Sequence, residues 1–153
     1  MTTLDSIDRL ILSELQNNGR RPTSDIAERV GLSPSACHRR VKALEAAGVI
    51  EGYVAVLNPE LIDRSLDVFV EISLTSQSVD NITAFEKAVL TCPEVMSCHL
   101  MAGDADYLVH LAVADPRDFE RIHTEHLSRL PSVTRLKSNF AIRTVVETTA
   151  FEL

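Results

Sequence analysis

GLSPSACHRRVKALEAAGVIEGY, Gly31–Tyr53, places Arg39, Arg40 and Lys42 beside His38 in a chain whose formal net charge is −7. The stretch carries its own start and stop signals. Ser33 can accept a hydrogen bond from the first free backbone N–H groups of a helix, and Pro34 suits the first helical position, where a missing N–H costs nothing. Gly48 can close the helix in the left-handed conformation. With side chains turning about 100° per residue, Cys37, Val41 and Leu44 fall on one face. Ser35, Arg39, Lys42 and Ala46 fall near the opposite one, with His38 beside them and Arg40 on the flank towards the core. The sequence therefore predicts an amphipathic helix with a cationic outer face flanked by small residues, which allow close approach to another surface.

Upstream, Leu4, Ile7, Ile11 and Leu15 recur at helical spacing, so a first helix should run to about residue 17, where Asn18-Gly19 stops it. Thr23 or Ser24 can cap a short second helix with Ile26, Ala27 and Val30 inward, ending at Gly31. Two short helices joined by a tight glycine turn, the second one cationic, form the arrangement that lays its second helix in a DNA major groove. Arg39, Arg40 and Lys42 could reach guanine edges or phosphates there, His38 lies beside them, and Ser33 and Ser35 could bind phosphate with the helix dipole behind them. A merely solvated helix face would carry matched charges, and only Glu45 accompanies the trio. Downstream, Ile50–Leu57 alternates and reads as a strand, a wing or linker, before Asn58-Pro59 breaks the chain.

Charge divides the molecule at the same place. Residues 1–52 hold seven basic and seven acidic side chains, so the whole net charge lies beyond them. That asymmetry suggests two parts with different partners, 1–52 and 66–153, joined by a linker at 53–65. Overall acidity argues against a nonspecific nucleic-acid coat, but screening over about 8–10 Å leaves room for a local basic surface. No apolar run approaches the roughly 20 residues of a membrane span, and MTTLDSIDRL lacks a basic-then-apolar leader pattern, so a cytoplasmic location is expected. Cys37, Cys92 and Cys98 lack CxxC spacing and sit in apolar patterns, which reads as buried reduced thiols.

In the second part, Leu66, Val68, Val70, Ile72 and Leu74 alternate with Asp67, Phe69, Glu71 and Ser73, which is strand periodicity. Asp80 can cap a helix carrying Ile82, Phe85 and Val89. Strands at Val95–Ala102 and Tyr107–Ala114 flank the turn Gly103-Asp104-Ala105-Asp106. Asp115-Pro116 opens a helix that should end at Pro131, and Val133–Thr149 reads as a long last strand. The order βαββαβ is that of a ferredoxin-like sandwich. Its helices cover one sheet face, and an apolar open face would seek a second copy. The expected class is α+β: an N-terminal winged helix-turn-helix domain and a C-terminal ferredoxin-like domain that brings copies together.

The string RRPTSDIAERVGLSPSACHRRVKALEAAGVIEGYVAVLNP strongly resembles the DNA-binding half of the leucine-responsive/asparagine-activator (Lrp/AsnC) transcription regulators. CHLMAGDADYLVHLAV and LPSVTRLKSNFAIRTVVE resemble their effector domain, so the likeness runs from about residue 4 to 146. It implies a transcription regulator rather than an enzyme, with partners double-stranded operator DNA, a small amino-acid effector, and further copies assembling dimers into octamers or similar rings. It implies no cofactor. The effector would sit between dimers, at the G-D-x-D turn and neighbouring strands: His99, Met101, Gly103, Asp104, Asp106, Tyr107, Leu136 and Ser138. An ammonium would find a carboxylate there and a carboxylate would find backbone N–H groups. Where many members show Thr-x-Thr, this chain has Leu136-Lys137-Ser138, which with Met101 suggests an apolar effector.

Two histidine pairs offer other chemistry. If the four-residue turn closes simply, residue 102 pairs with 107 and His99 falls opposite His110, where the two could bind a metal or porphyrin. Some similar proteins are sirohaem decarboxylases that use histidines in this domain, which is the alternative reading. His123 and His126, spaced i,i+3 with Glu120 nearby, lack an identifiable third ligand.

Overall fold

Asp5 starts the first helix of this computed structural model, which describes residues 3–153. Its carboxylate accepts from the Asp8 N–H at 2.8 Å while Asp8 returns a bond to the Asp5 N–H at 3.2 Å, a reciprocal capping box. Helix α1 (Ser6–Asn17) thus begins just after Leu4. α2 (Thr23–Arg29) follows, with Pro22 in the capping position and no side-chain cap, so neither Thr23 nor Ser24 plays that part. α3 (Pro34–Ala46) has Ser33 as its cap, with its Oγ 3.3 Å from the Ala36 N–H, and Pro34 in its first turn.

The ends of α2 and α3 share one closing device. Gly31 and Gly48 both adopt φ +69°, where a Cβ would be strained. Each turn closes with two bonds: Leu32 N–H to the Ala27 carbonyl (2.8 Å) and Gly31 N–H to Glu28 (3.4 Å), then Val49 N–H to Leu44 (3.0 Å) and Gly48 N–H to Glu45 (3.0 Å). This is the Schellman pattern, and its apolar following residues, Leu32 and Val49, pack on the helical core. Ile11, Leu12, Ile26, Ala27, Cys37, Val41 and Leu44 form that core.

The segment Ile50–Leu57, expected as a strand, forms none. Its apolar side chains alternate, yet a ladder needs a partner, and Val54 and Val56 stand 88% and 85% exposed. After a single 3-10 turn at Pro59–Ile62, β1 (Leu66–Leu74), α4 (Val79–Val89), β2 (Val95–Leu100), β3 (Tyr107–Val113), α5 (Pro116–Glu125) and β4 (Val133–Phe140) follow. The cap of α4 is Ser78, with Asp80 in its first turn. Asp115 caps α5 through the Arg117 and Asp118 N–H groups, as its Asp-Pro start suggested. α5 stops at Glu125, short of Pro131, and a 3-10 turn at Leu127–Arg129 fills the interval.

The strands form one antiparallel sheet in the order β2-β3-β1-β4. This α+β arrangement is the ferredoxin-like sandwich expected of βαββαβ. Val68, Val70, Ile72, Val109, Leu111 and Val113 alternate towards the helices and pack on Phe85, Val89, Ile122 and Leu127. β4 ends at Phe140 rather than near Thr149, because β1 begins at Leu66: after Val68 meets Phe140 and the Asp67 carbonyl takes the Ala141 N–H, no strand remains to pair.

The chain divides into two compact units, the N-terminus through Val56 together with Val146–Leu153, and Leu57–Val145. The last eight residues therefore group with the helical unit, and the chain passes between the units twice.

Candidate functional site

In the helical unit, Cys37, Val41 and Leu44 are the buried line of α3, which turns Ser35, His38, Arg39 and Lys42 to solvent. Among the described residues Arg39 forms no ion pair, so its guanidinium is available to a ligand. Lys42 is held 2.7 Å from Glu45, whose other oxygen accepts from the Tyr53 hydroxyl at 3.2 Å. Lys42 beside it holds the Glu45 carboxyl below its ordinary range. Arg40 is engaged differently. Its Nη1 lies 2.7 Å from Asp8 and 2.8 Å from Asp5, so it locks α3 onto the capping box of α1. The two carboxylates raise the Arg40 pKa further, and the Asp8 N–H followed by Arg40 lowers that of Asp5. Ser33 and Ser35 sit at the exposed start of α3 with their hydroxyls 3.3 Å apart. The helix thus presents a row of donors on one side and a fixed seat on the other, which suits reading a groove and holding phosphates.

In the second unit the turn between β2 and β3 separates its two aspartates. Asp106 is structural: its carboxylate accepts from the Leu74 N–H at 2.7 Å and from the Gln77 side chain at 2.6 Å, pinning the turn to the end of β1. Those bonds, the Leu74 N–H foremost, lower its pKa. Asp104 is exposed and borders a depression of about 30 Å³ shared with Glu71, Ser73, Ala105, Arg135 and Lys137. Lys137 lies 3.0 Å from Glu71 and is the chief reason the Glu71 carboxyl sits below its usual pKa. The depression offers both signs of charge, as an amino-acid zwitterion requires. It has room for a water-sized group only.

The remaining expected effector residues are dispersed. Gly103 is at the open turn, and Met101, whose N–H donates to the Asp106 carbonyl at 2.8 Å, is 42% exposed. Tyr107 points into the core, donating to Glu86 at 2.9 Å, and burial followed by that carboxylate pushes its pKa up to about 12. Leu136 packs against the helix-covered core and Ser138 lies opposite Val70 on that side. Glu71, Ser73, Arg135 and Lys137 are not among the effector residues expected from the sequence, where Lys137 stands out only as part of Leu136-Lys137-Ser138. The signal was available: β1 and β4 alternate, and every second residue of each reaches the open face with Asp104.

The histidine register differs from the simple closure. Leu100, not Ala102, faces Tyr107, so His99 lies opposite Leu108 and His110 opposite Ser97. The turn is wider than four residues, with the Met101 N–H donating to the Asp106 carbonyl, and a bulge between Val95 and Ser97 shifts the ladder only beyond the Ser97–His110 pair. The facing pair that would have held a porphyrin is not formed. His110 instead bonds Asp67 at 2.8 Å and stacks on Phe69 with ring centroids 4.7 Å apart. Among the described residues no group of three or more His, Cys, Asp or Glu is placed to hold a metal, and no helix is long and apolar enough to cross a membrane. The open face also differs from the apolar one expected: Phe69, Leu108 and Ala112 lie among Asp67, Glu71, His110, Arg135 and Lys137.

These two sites, one on each unit, coincide with two family patterns. A winged helix-turn-helix DNA-binding pattern matches residues 4–51, and the Lrp/AsnC ligand binding domain matches residues 67–151. The chain belongs to the Lrp/AsnC family. It is 43% identical to the leucine-responsive regulatory protein of Haemophilus influenzae over 145 residues, 95% of this chain and 87% of the relative. It is 47% identical to that of Escherichia coli K12 over 130 residues, 85% and 79% respectively. A transcriptional regulator of Neisseria meningitidis solved as its L-Met complex superposes with TM-score 0.93 at 36% identity, covering 98% of this chain and 97% of that one. An AsnC family regulator of Agrobacterium tumefaciens gives TM-score 0.93 at 32% identity over 97% of each chain. The chain is accordingly a DNA-binding transcription regulator with a ligand-binding domain, and no finding favours the decarboxylase alternative.

Proposed function

We propose that dimers of this chain read cytoplasmic operator DNA with α3 and respond to an amino acid held at the Asp104 turn. The observation that carries this reading is the division of labour along α3. Arg40 is spent on the capping box, which fixes the helix, while Ser35, His38, Arg39 and Lys42 remain on the free side. Two such helices related by a two-fold axis would meet half-sites about one helical turn apart. Serines at the helix start take phosphates, and Arg39 is the side chain free to address a base edge.

The effector reading rests on mixed charge and on size. Asp104 and Glu71 suit an ammonium, and Arg135 and Lys137 suit a carboxylate. A depression of about 30 Å³ cannot enclose an amino acid, so a second copy completes the site, as in assembly of dimers into larger rings. Leucine and methionine are the first ligands to try, given the leucine-responsive relatives and the L-Met complex. Titration of a labelled duplex from upstream of the protein's own gene, at several salt concentrations with and without each amino acid, tests the whole reading. Saturable binding with a steep negative salt slope, shifted by one amino acid, is expected. Duplex binding that ignores every amino acid would remove the effector half of the reading, and no duplex binding would remove the rest.

A further inference from the structure

We propose that the C-terminal segment Val146–Leu153 is a displaceable strap that seats on the DNA-binding unit and couples it to the open sheet face. Its seat is specific in the backbone and loose in the side chains. The Gln16 carboxamide accepts from the Phe151 N–H at 2.7 Å and donates to the Phe151 carbonyl at 3.1 Å. One side chain thus satisfies both groups of one residue, as a neighbouring strand would. Around this clamp runs an apolar groove of about 980 Å³ between α1 and the extended residues 49–56, with Leu12, Leu15, Ile50 and Tyr53 in its walls. Phe151 and Leu153 line it, yet remain 78% and 46% exposed. The segment is held, but most of the apolar area it could bury is still open to water, so little holds it against release.

The strap's other end is fixed in the second unit. The Thr144 hydroxyl donates to one Asp67 oxygen at 3.3 Å, and the other oxygen is bonded to His110 at 2.8 Å. The Ala141 N–H donates to the Asp67 carbonyl at 2.9 Å. Between the anchors, Val145 and Val146 are 82% and 80% exposed. Asp67 and His110 belong to the open face on which the proposed dimer forms. Whatever rearranges that pair loosens or tightens the strap where it starts, and the far end bears on the helix that supports α3.

The consequence for DNA rests on the regulator reading, whereas the seat itself does not. Two variants test both: the full chain carrying Gln16→Ala, and a chain ending at Val145. Amide hydrogen exchange across α1 and residues 49–56 is expected to quicken about tenfold in each, the loss of two hydrogen bonds. An excess of the synthetic octapeptide VETTAFEL should restore protection in the shortened chain and fail to do so when that chain also carries Gln16→Ala. Unchanged exchange in both variants overturns the strap. Duplex affinity of the shortened chain should differ from that of the intact one and return with the peptide. Altered exchange at constant affinity would overturn the coupling and leave only a seat. An intact chain that binds no duplex would sink the regulator reading, and exchange would still decide the strap.

Discussion

Two adjacent arginines show how little residue type says about role. Among the described residues Arg39 forms no ion pair, whereas Arg40 is bonded to Asp5 and Asp8. Arg39→Ala should weaken duplex binding roughly tenfold with the melting temperature unchanged, since it removes one base or phosphate contact. Arg40→Ala should do the reverse first, lowering the melting temperature because two carboxylates lose their partner. Calorimetry and anisotropy on the same samples separate the two; equal loss of affinity without loss of stability in Arg40→Ala would return it to the reading face. The aspartates of the turn divide in the same way. Asp106→Ala leaves the Leu74 N–H without its acceptor and should cost about 1 kcal/mol in urea unfolding, whereas Asp104→Ala should leave stability unchanged and blunt the response to an effector. The pH dependence has a definite sign. Asp5 and Asp106 titrate below the ordinary carboxylate range when folded, held down chiefly by the Asp8 and Leu74 N–H groups, so the unfolded chain takes up protons first as pH falls. Their contribution is complete above about pH 5 and is lost as pH drops through the folded values. Asp106→Asn should therefore flatten the fall in stability between about pH 5 and 3, as followed by urea midpoints.

At the scale of elements, the features legible in the sequence were those with local causes. Ser33-Pro34, Asp115-Pro116 and Gly48 set helix ends through bonds within a few residues, and the structure keeps all three. Gly31→Ala tests one such device. A Cβ at φ +69° meets no neighbour, so the cost is backbone strain alone, about 1–2 kcal/mol; a neutral melt would show that the turn relaxes. What misled was non-local. Ile50–Leu57 alternates and 141–149 reads as the end of a long strand, but among the described residues neither finds a ladder. The turn closes at Leu100–Tyr107 rather than at Ala102–Tyr107, which sets His99 away from His110, because register depends on a pairing that no short window contains. Leu136 was placed near the cleft by family likeness, while its strand parity turns it to the core opposite Ile72. The candidate DNA surface was therefore readable almost residue by residue. Of the residues lining the proposed effector depression, only Asp104 was among those expected from the sequence, since most of its wall comes from β1 and β4, distant in sequence.

At the scale of the whole molecule, the open sheet face, where the dimer is proposed to form, would decide how many reading helices act together. Its opposite charges, Asp67 and Glu71 against Arg135 and Lys137, surround the exposed ring of Phe69, so a copy related by a two-fold axis can set acids against bases over an apolar centre. Phe69→Glu should break that match without unfolding the chain, because the ring stands 37% exposed and packs on His110 rather than in the core. Sedimentation at micromolar concentration should then fall to the 16.9 kDa of one chain. Duplex affinity should fall about a hundredfold or more as the second helix loses its effective concentration. The salt dependence makes the loss diagnostic. Each phosphate neutralised contributes about −0.9 to the slope of log affinity against log salt, so separated chains should show about half the slope of the dimer. A variant that sediments unchanged would place the dimer contact elsewhere. One that sediments as a single chain yet keeps the full slope would mean that one helical unit alone makes every phosphate contact, and that the second copy serves the effector rather than the DNA.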